Sequence, residues 1–271
     1  MATIIRADAD ASAWRERARY DRLLGFDRAT WAWECLRRSL DREPTMPRST
    51  SWTMLRADPP LCLLAIGQRR GPRGALPLAV LNDLAGFAGH VFWCGELHPP
   101  VLAVDAAPVP DGAGDAFHLR TLRHPAVVLR HRGGGGEHLL IADGPRCIRI
   151  EVRSGTLLAG PVRLDYHLPG DAHVEAKLLT LRRLTALCRL GRFPLTLFPP
   201  ERRARRWAMA LQAWDGRRTG ASHREIAGVI HGDAIVRRDW LGTSDYLRTH
   251  VKRLLRTADA LIGGGWRHLL R

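Results

Sequence analysis

Basic side chains recur at helical spacing near the carboxyl end of the sequence. Arg248, Lys252 and Arg256 are four residues apart, and Thr249 and Arg253 lie beside them. Residues four apart share one face of a helix. Guanidinium groups bind the two acceptors at the major-groove edge of guanine, and threonine contacts the methyl group of thymine. The spacing therefore predicts a helix that lies in the major groove of double-stranded DNA, with base-edge contacts from Arg248, Thr249 and Lys252.

The other side of this segment, residues 244–262, is apolar. Ser244 is the predicted N-cap, and the predicted inward stripe consists of Leu247, Val251, Leu254, Ala258 and Leu261. An apolar stripe at this spacing is typical of a helix that packs on a core. Burial of one face would set the angle at which the basic face meets DNA.

Arginines around this helix are predicted to bind DNA phosphates, which position a protein without reading sequence. The four assigned to this role are Arg224, Arg237, Arg253 and Arg256, and further basic residues nearby are the RRARR run at 202–206, Arg217, Arg218 and Arg238. Residues 200–271 contain 15 Lys and Arg against seven Asp and Glu, a net charge of +8. The alternative is a solvated basic face on an ordinary bundle helix. We favour DNA binding because the charge is concentrated around one segment.

The chain as a whole is also basic. Its formal net charge is +15, and 40 of its 42 basic residues are arginine. A field of this sign attracts polyanions: nucleic acid first, acidic membrane surfaces second and acidic proteins third. Because G+C-rich coding alone can produce an excess of arginine, the position of each arginine carries more information than their number.

A second helix is predicted just before the basic one. In the segment SHREIAGVIHG, Ser222 and Glu225 have the spacing of a capping box, and Gly232 suits a helix end. The two helices would form a helix-turn-helix, but eleven residues separate Gly232 from Ser244, whereas the usual turn has three or four. Either this connection contains a short helix or the geometry is not the standard one.

Catalytic and metal-binding patterns are weak. His90, Cys94, Glu96 and His98 are close in sequence, but on a strand their even spacing places them along one line, which does not suit a tetrahedral zinc site. The Gly-rich segment 130–137 lacks the GK[ST] of a phosphate-binding loop and is interpreted as a hairpin loop. The five cysteines form no CxxC pair. We therefore expect no enzyme activity, no cofactor and no metal.

Other parts of the chain predict the elements that hold the basic helix. Residues 10–40 are interpreted as a helical hairpin in which Asp27 caps the second helix, and 44–75 as an irregular connection. Short apolar runs separated by turn residues over 91–167 predict a small antiparallel sheet. The predicted fold class is α+β, with an N-terminal helical module, a small antiparallel sheet and a C-terminal helical cluster that contains the helix-turn-helix. The predicted domains are 1–90, 91–170 and 171–271, with the helix-turn-helix at about 199–262.

The apolar segments of the chain predict its cellular location. The amino terminus has no apolar core of a signal peptide, and the most apolar tract contains Asn82, Asp83 and His90. We therefore expect a cytoplasmic protein that does not enter a membrane. Trp31 and Trp33 are expected to pack in the core, although Trp31 lies off the apolar stripe of its helix and would otherwise serve as an anchor for a partner.

Several short runs of the sequence carry a resemblance to known families. From Gly144 to the end these are GPVRL, AKLLTLRRL, RFP, PPERRARRW, REIA, SDYLR, VKRLLR and GGWRHLL. Before it they are the amino-terminal YDRLLGFDRATWAWECLRR and, at 92–108, FWCGELHPPVLAVDAAP. They resemble, respectively, a C-terminal domain of unknown function in proteobacterial transcriptional regulators and the transcriptional-regulator-like module that precedes it. Such proteins resemble activators of excision and transfer of integrative and conjugative elements, and their anti-activators. The resemblance implies a divergent, homeodomain-like helix-turn-helix, which would accommodate the long connection.

The sequence thus predicts a sequence-specific DNA-binding regulator of transcription. By resemblance it is an activator, with genes for excision or transfer of a mobile genetic element as candidate targets. Further candidate partners are RNA polymerase or a sigma factor, an anti-activator protein, and a second copy of the chain on DNA. One alternative is a protein-interaction module, an anti-activator or adaptor that binds a regulator or sigma factor with the same fold. RNA binding is disfavoured because the sequence lacks an aromatic stacking motif such as the RNP pattern.

Overall fold

A computed structural model of the chain describes most of its residues. They are 12–40, 52–58, 61–66, 79–81, 87, 89–131, 136–170, 172–242 and 245–271. The helices are α1 (Ala18–Asp21), α2 (Arg28–Leu40), α3 (Val174–Leu190), α4 (Ala204–Arg218), α5 (His223–His231), α6 (Asp233–Asp239) and α7 (Tyr246–Ile262). The strands are β1 (Trp52–Asp58), β2 (Leu61–Ile66), β3 (Ala79–Val80), β4 (Val91–Phe92), β5 (Leu102–Pro108), β6 (Ala126–His131), β7 (Glu137–Asp143), β8 (Arg146–Gly155) and β9 (Val162–His167).

Contacts divide the chain into two compact units. The helical unit comprises Met1–Phe26 and Pro200–Trp266, and the sheet unit comprises Asp27–Pro199 and Arg267–Arg271. The predicted domain boundaries follow the order of the chain, whereas this division follows packing. One consequence is that α1 and α2, which the sequence predicts as a hairpin, belong to different units.

Seven of the described strands form one mixed sheet. Their order is β1-β2-β6-β7-β8-β5-β9, and the pairs β2–β6 and β5–β8 are parallel while the other neighbours are antiparallel. The predicted α+β class is confirmed, but the sheet is larger than expected and is not purely antiparallel. The prediction of an irregular connection over 44–75 was wrong for β1 and β2. The run LCLLAI of β2 is long enough for a buried strand, and both ladders of β2 use it.

Both faces of this sheet are covered. Alternate residues of β6 enter different cores: Val128 packs in a cluster with Leu184 and Leu187 of α3, and Leu129 packs in a cluster with Phe92. Side chains of a strand alternate between faces, so a strand that is buried on both faces has a continuous apolar run. This explains the AVVL of β6, which a half-exposed antiparallel strand would not require.

The helix α2 packs beside β4, a strand of the two-stranded sheet. The backbone N–H of Thr30 donates to Asp27 Oδ1 at 2.9 Å, which confirms the predicted cap. Trp31 and Trp33 are both buried, as expected, and the indole N–H of Trp93 donates to the carbonyl of Ala29 at 3.2 Å. Packing rather than partner binding therefore accounts for the two tryptophans of α2.

In the helical unit, α4 is the central element. Its buried residues include Trp207, Leu211 and Trp214. A Cβ atom at Gly216 would lie 2.8 Å from the ring of Trp14, so glycine at this position permits the amino-terminal segment to approach α4. Tyr20 donates to Asp215 at 2.8 Å in the same region. These contacts explain why the first described residues belong to the helical unit. None of the described helices is long and apolar enough to cross a membrane.

Candidate nucleic-acid interface

The helix α5 begins with the predicted capping box. The backbone N–H of Glu225 donates to Ser222 Oγ at 3.2 Å, and the backbone N–H of Ser222 donates to Glu225 Oε2 at 2.8 Å. The hydrogen bonds that the backbone N–H and the hydroxyl of Ser222 donate to the Glu225 carboxylate lower the pKa of Glu225. Ile226 and Ala227 are buried, and α5 contacts α4, α6 and α7. The helix ends at Gly232, whose φ of 94° favours glycine.

The long connection between α5 and α7 contains a short helix. Of the two alternatives that the sequence left open, the structure shows this one: α6 begins directly after Gly232. Val236 is buried and anchors α6, whereas Ile235 and Arg237 are exposed. The predicted N-cap Ser244 lies outside the described residues, and the described residue at the N-cap position of α7 is Asp245, without a side-chain capping hydrogen bond.

One face of α7 is buried, as predicted. Four of the five residues of the predicted stripe are buried, namely Leu247, Val251, Leu254 and Ala258, and the fifth, Leu261, is half-buried. Leu255 and Ile262 complete this face and were not predicted. Packing against α4 thus fixes which side of α7 is turned to solvent.

The opposite side of α7 carries an exposed basic face. It consists of Thr249, Lys252, Arg253 and Arg256, which follow the i, i+3, i+4, i+7 spacing of one helix face. The three cations are exposed, and among the described residues no carboxylate forms an ion pair with them. The basic face of α7 therefore presents positive charge that no acidic side chain of the described protein neutralises.

Arg248 lies at the edge of this face and differs from the other cations. Its guanidinium forms an ion pair with the carboxylate of Asp245, one turn earlier. Arg224 and Arg237 are exposed on α5 and α6. The structure therefore places five of the seven predicted DNA-binding residues on α7 and the other two on neighbouring helices.

Two contacts fix α7 against α4 on either side of Ala258. The guanidinium of Arg217 binds the carboxylate of Asp259 at 3.0 and 2.5 Å, and Arg206 donates to Thr257 Oγ1 at 3.2 Å. From the sequence, Arg217 was only a further basic residue near the predicted phosphate contacts, and Asp259 was not noticed. The signal that was missed is an acidic residue between apolar positions of an otherwise basic helix.

Comparison with known proteins agrees with this geometry. Residues 167–271 match a family described as "T6SS, Transcription factor, DNA binding domain", the RovC DNA-binding domain. This part of the chain is similar to a transcription-factor DNA-binding domain. The match covers α3 to α7, which is less than half of the chain, and supports a DNA-binding regulator. A comparison with curated proteins finds no match.

A histidine pair joins α5 to α7 beside the basic face of α7. His231 Nε2 lies 2.9 Å from His250 Nδ1, and the ring of His250 is stacked on Tyr246 with centroids 5.8 Å apart. Burial and the neighbouring His250 lower the pKa of His231, and burial, Arg206 and Arg253 lower the pKa of His250. Because one ring must accept the shared proton, this contact requires at least one neutral imidazole. The two histidines are too far apart in sequence for this pairing to be predicted.

The two histidines considered for zinc each contact a backbone carbonyl oxygen. His90 Nε2 lies 2.8 Å from the carbonyl oxygen of Gly144, and His98 Nδ1 lies 2.8 Å from that of Leu270. Burial, reinforced by Arg149, lowers the pKa of His98 to about 4. Among the residues that the structure describes, no group of three His, Cys, Asp or Glu side chains is arranged to hold a metal ion.

Proposed function

We propose that this protein is a sequence-specific regulator of transcription that places α7 in the major groove of DNA. The observation that carries this proposal is the basic face of α7, because its cations have no ion-pair partner among the described residues and its opposite side is buried. A face of this kind on an ordinary surface helix would gain from acidic neighbours. The similarity of residues 167–271 to a transcription-factor DNA-binding domain supports the same function.

In this proposal the protein binds and does not catalyse. Arg248, Thr249 and Lys252 contact base edges, and the phosphate contacts come from Arg224, Arg237, Arg253 and Arg256. The arrangement of α5, α6 and α7 acts as a divergent, homeodomain-like helix-turn-helix in which α6 lengthens the turn. The two contacts between α4 and α7 hold the binding helix at a fixed angle.

The direction of regulation and the target genes rest on similarity. The resemblance to activators of mobile-element excision and transfer favours activation of such genes. The matched family is described by the words "T6SS, Transcription factor", which makes T6SS genes a second class of target. Mapping the sites that the protein occupies on the chromosome would decide between the two, since each class predicts enrichment upstream of different genes.

The direct test is binding of the full chain to DNA fragments from upstream of its own gene and of the candidate target genes, against random DNA, over a series of salt concentrations. We expect a preference for particular fragments that persists as the salt concentration rises, because base contacts are less salt-dependent than phosphate contacts. Arg248→Ala should reduce this preference, at a cost of about 1–3 kcal/mol on the preferred site. Arg120→Ala, which removes an exposed arginine from the sheet unit, is the matched control. Equal binding to all fragments would reduce the basic face to a non-specific polyanion surface.

A protein-interaction role has one observation in its favour. Leu241 is 85% exposed and Ile235 is 41% exposed, both on α6 or directly after it. A contiguous apolar patch marks a protein contact site, so this role requires that the two side chains form one patch. They would serve an anti-activator or adaptor, or let a DNA-bound activator contact RNA polymerase, a sigma factor or a second copy of the chain. Leu241→Ser should weaken capture of purified RNA polymerase or sigma factor without changing DNA binding, and an unchanged capture would contradict this role.

A further inference from the structure

An acidic residue lies at the start of the proposed DNA-binding helix. Asp245 directly precedes α7, and its side chain is 72% exposed. On a surface that binds DNA, a carboxylate repels the phosphates at close range. An aspartate in this position therefore weakens binding to every DNA sequence unless it has a compensating role.

Capping, the usual role of aspartate at a helix start, does not explain Asp245. An N-cap carboxylate accepts a hydrogen bond from a backbone N–H in the first turn. Asp245 makes no such bond, and its carboxylate instead binds the guanidinium of Arg248. A negative charge also interacts favourably with the amino end of a helix, but that interaction does not require Arg248.

The ion pair leaves part of the Arg248 guanidinium available. One terminal nitrogen, Nη2, binds Asp245 Oδ1. A guanidinium has five N–H donors in a rigid planar fork, so a fork that is held through one nitrogen still has donors for a second ligand. The two acceptors of guanine in the major groove, O6 and N7, match such donors. By contrast, Lys252, Arg253 and Arg256 have no acidic neighbour that holds them among the described residues.

We propose that Asp245 is a specificity-determining residue that positions Arg248 to read a guanine. Asp245 holds the guanidinium at the base edge and, by repelling phosphates, opposes alternative placements in which Arg248 binds the backbone of any sequence. Asp245 is thus a positioning residue, and Arg248 makes the base contact. This inference rests on the proposed function, because it requires that α7 lies in the major groove.

The test is Asp245→Asn in the full chain, which removes the charge and keeps the shape. Binding sites would be selected from randomised DNA for the wild-type protein and the variant, and affinities measured on the selected site and on a version with the guanine replaced. We expect discrimination at one guanine position to fall about tenfold, which is within the contribution of one bidentate base contact. Affinity for random DNA should rise, because one repulsive charge is gone. Asp233→Asn, which removes an exposed carboxylate at the start of α6, is the matched control and should leave the preference unchanged.

Four outcomes would separate the possible failures. If wild-type protein shows no base preference at all, the proposed function fails and the role of Asp245 fails with it. If wild-type protein selects a site and Asp245→Asn selects the same site with the same discrimination, only the role of Asp245 is overturned. A variant with a lower melting temperature but unchanged discrimination would mean that Asp245 serves the helix end alone. In an Arg248→Ala background, Asp245→Asn should no longer alter discrimination, and a persisting effect would show that Asp245 acts without Arg248.

Discussion

Arg149 in the sheet unit and Arg256 in the helical unit have the same side chain in opposite surroundings. The side chain of Arg149 is 6% exposed, and it binds Asp27 Oδ2 at 2.5 Å and the carbonyl of Val91 at 2.8 Å. Arg256 is exposed, and no carboxylate among the described residues pairs with it. Arg217 is intermediate, since its ion pair with Asp259 is about 37% exposed on the arginine side.

This difference separates charge that stabilises the fold from charge that is available to a ligand. A buried guanidinium has lost its water and depends on its carboxylate, so loss of that partner is expensive. An exposed guanidinium keeps its water and contributes little to folding, but it can exchange that water for a phosphate. The surroundings of each arginine, rather than the total charge, therefore predict whether its removal affects stability or DNA binding.

The largest effect on folding is expected from Asp27→Asn. The pKa of Asp27 is raised by burial, but Arg149 outweighs this and holds it well below its usual range. Asparagine keeps the cap on α2 and removes the charge. Arg149 would then be buried without a counter-ion, so we expect the free energy of unfolding to fall by about 3 kcal/mol. This value is at the lower end of the range for a broken buried ion pair, because the side chain of Asp27 is 36% exposed. Urea denaturation, monitored by circular dichroism, measures this free energy.

The double variant Asp27→Asn, Arg149→Met is the control for this prediction. Replacement of both charges removes the uncompensated guanidinium, so the double variant should be more stable than Asp27→Asn alone. If Asp27→Asn unfolds at the same urea concentration as wild-type protein, the ion pair does not stabilise the fold. Burial of an arginine would then not distinguish Arg149 from Arg256 in its effect on stability.

A smaller effect is expected from Arg217→Ala. The pair with Asp259 is half-exposed, so its loss should reduce the free energy of unfolding by about 1 kcal/mol or less. Because this pair also fixes α7 against α4, affinity for the preferred DNA site should fall through the loss of that contact. Arg218→Ala removes the neighbouring charge and leaves the pair with Asp259 intact, and it should have the weaker effect on the preferred site. Equal loss of DNA affinity in the two variants would indicate that Arg217 binds a phosphate instead of acting through Asp259.

The histidine pair between α5 and α7 predicts a dependence on pH. Both folded-state pKa values are lowered, so the unfolded chain binds more protons than the folded chain near the ordinary pKa of histidine. The contribution of the pair to stability is therefore present above that pKa and is lost as the pH falls through and below it. Arg206 on α4 and Arg253 on α7 lower the pKa of His250, and its ring is stacked on Tyr246, so protonation would add a positive charge beside two cations.

The measurement is the melting temperature of wild-type protein and of His231→Gln between about pH 7.5 and about pH 5.5, a range that includes the ordinary histidine pKa. Glutamine keeps a polar partner for His250 without a second titratable ring. Since the chain has 12 histidines, the informative quantity is the difference between the two proteins. The variant should lose less stability on acidification, and parallel curves would contradict a role for the pair.

Elements of the interface could be predicted from the sequence, but the ion pairs of the two units could not. The capping box and the apolar stripe of α7 involve residues a few positions apart, so spacing alone indicates them. Arg149 and Asp27 are 122 residues apart, and Arg217 and Asp259 are 42 apart, so their pairing depends on the packing of whole elements. The parallel pair β2–β6 was missed for the same reason, because the pairing of distant strands leaves no local pattern.

The smallest effect on folding, and a clear effect on DNA, is expected from Arg256→Ala. Its side chain makes no ion pair among the described residues, so the free energy of unfolding should change by less than about 0.5 kcal/mol. A lost phosphate contact weakens binding to all sequences alike. It also reduces, by about one, the magnitude of the slope of log affinity against log salt concentration. Arg248→Ala should differ in kind, because it removes preference for a base. If Arg256→Ala instead changes which sequences are bound, Arg256 reads bases. In that case the exposed cations of α7 all contribute to base recognition. An arginine without an acidic neighbour would then discriminate between bases as well as Arg248, which is held by Asp245.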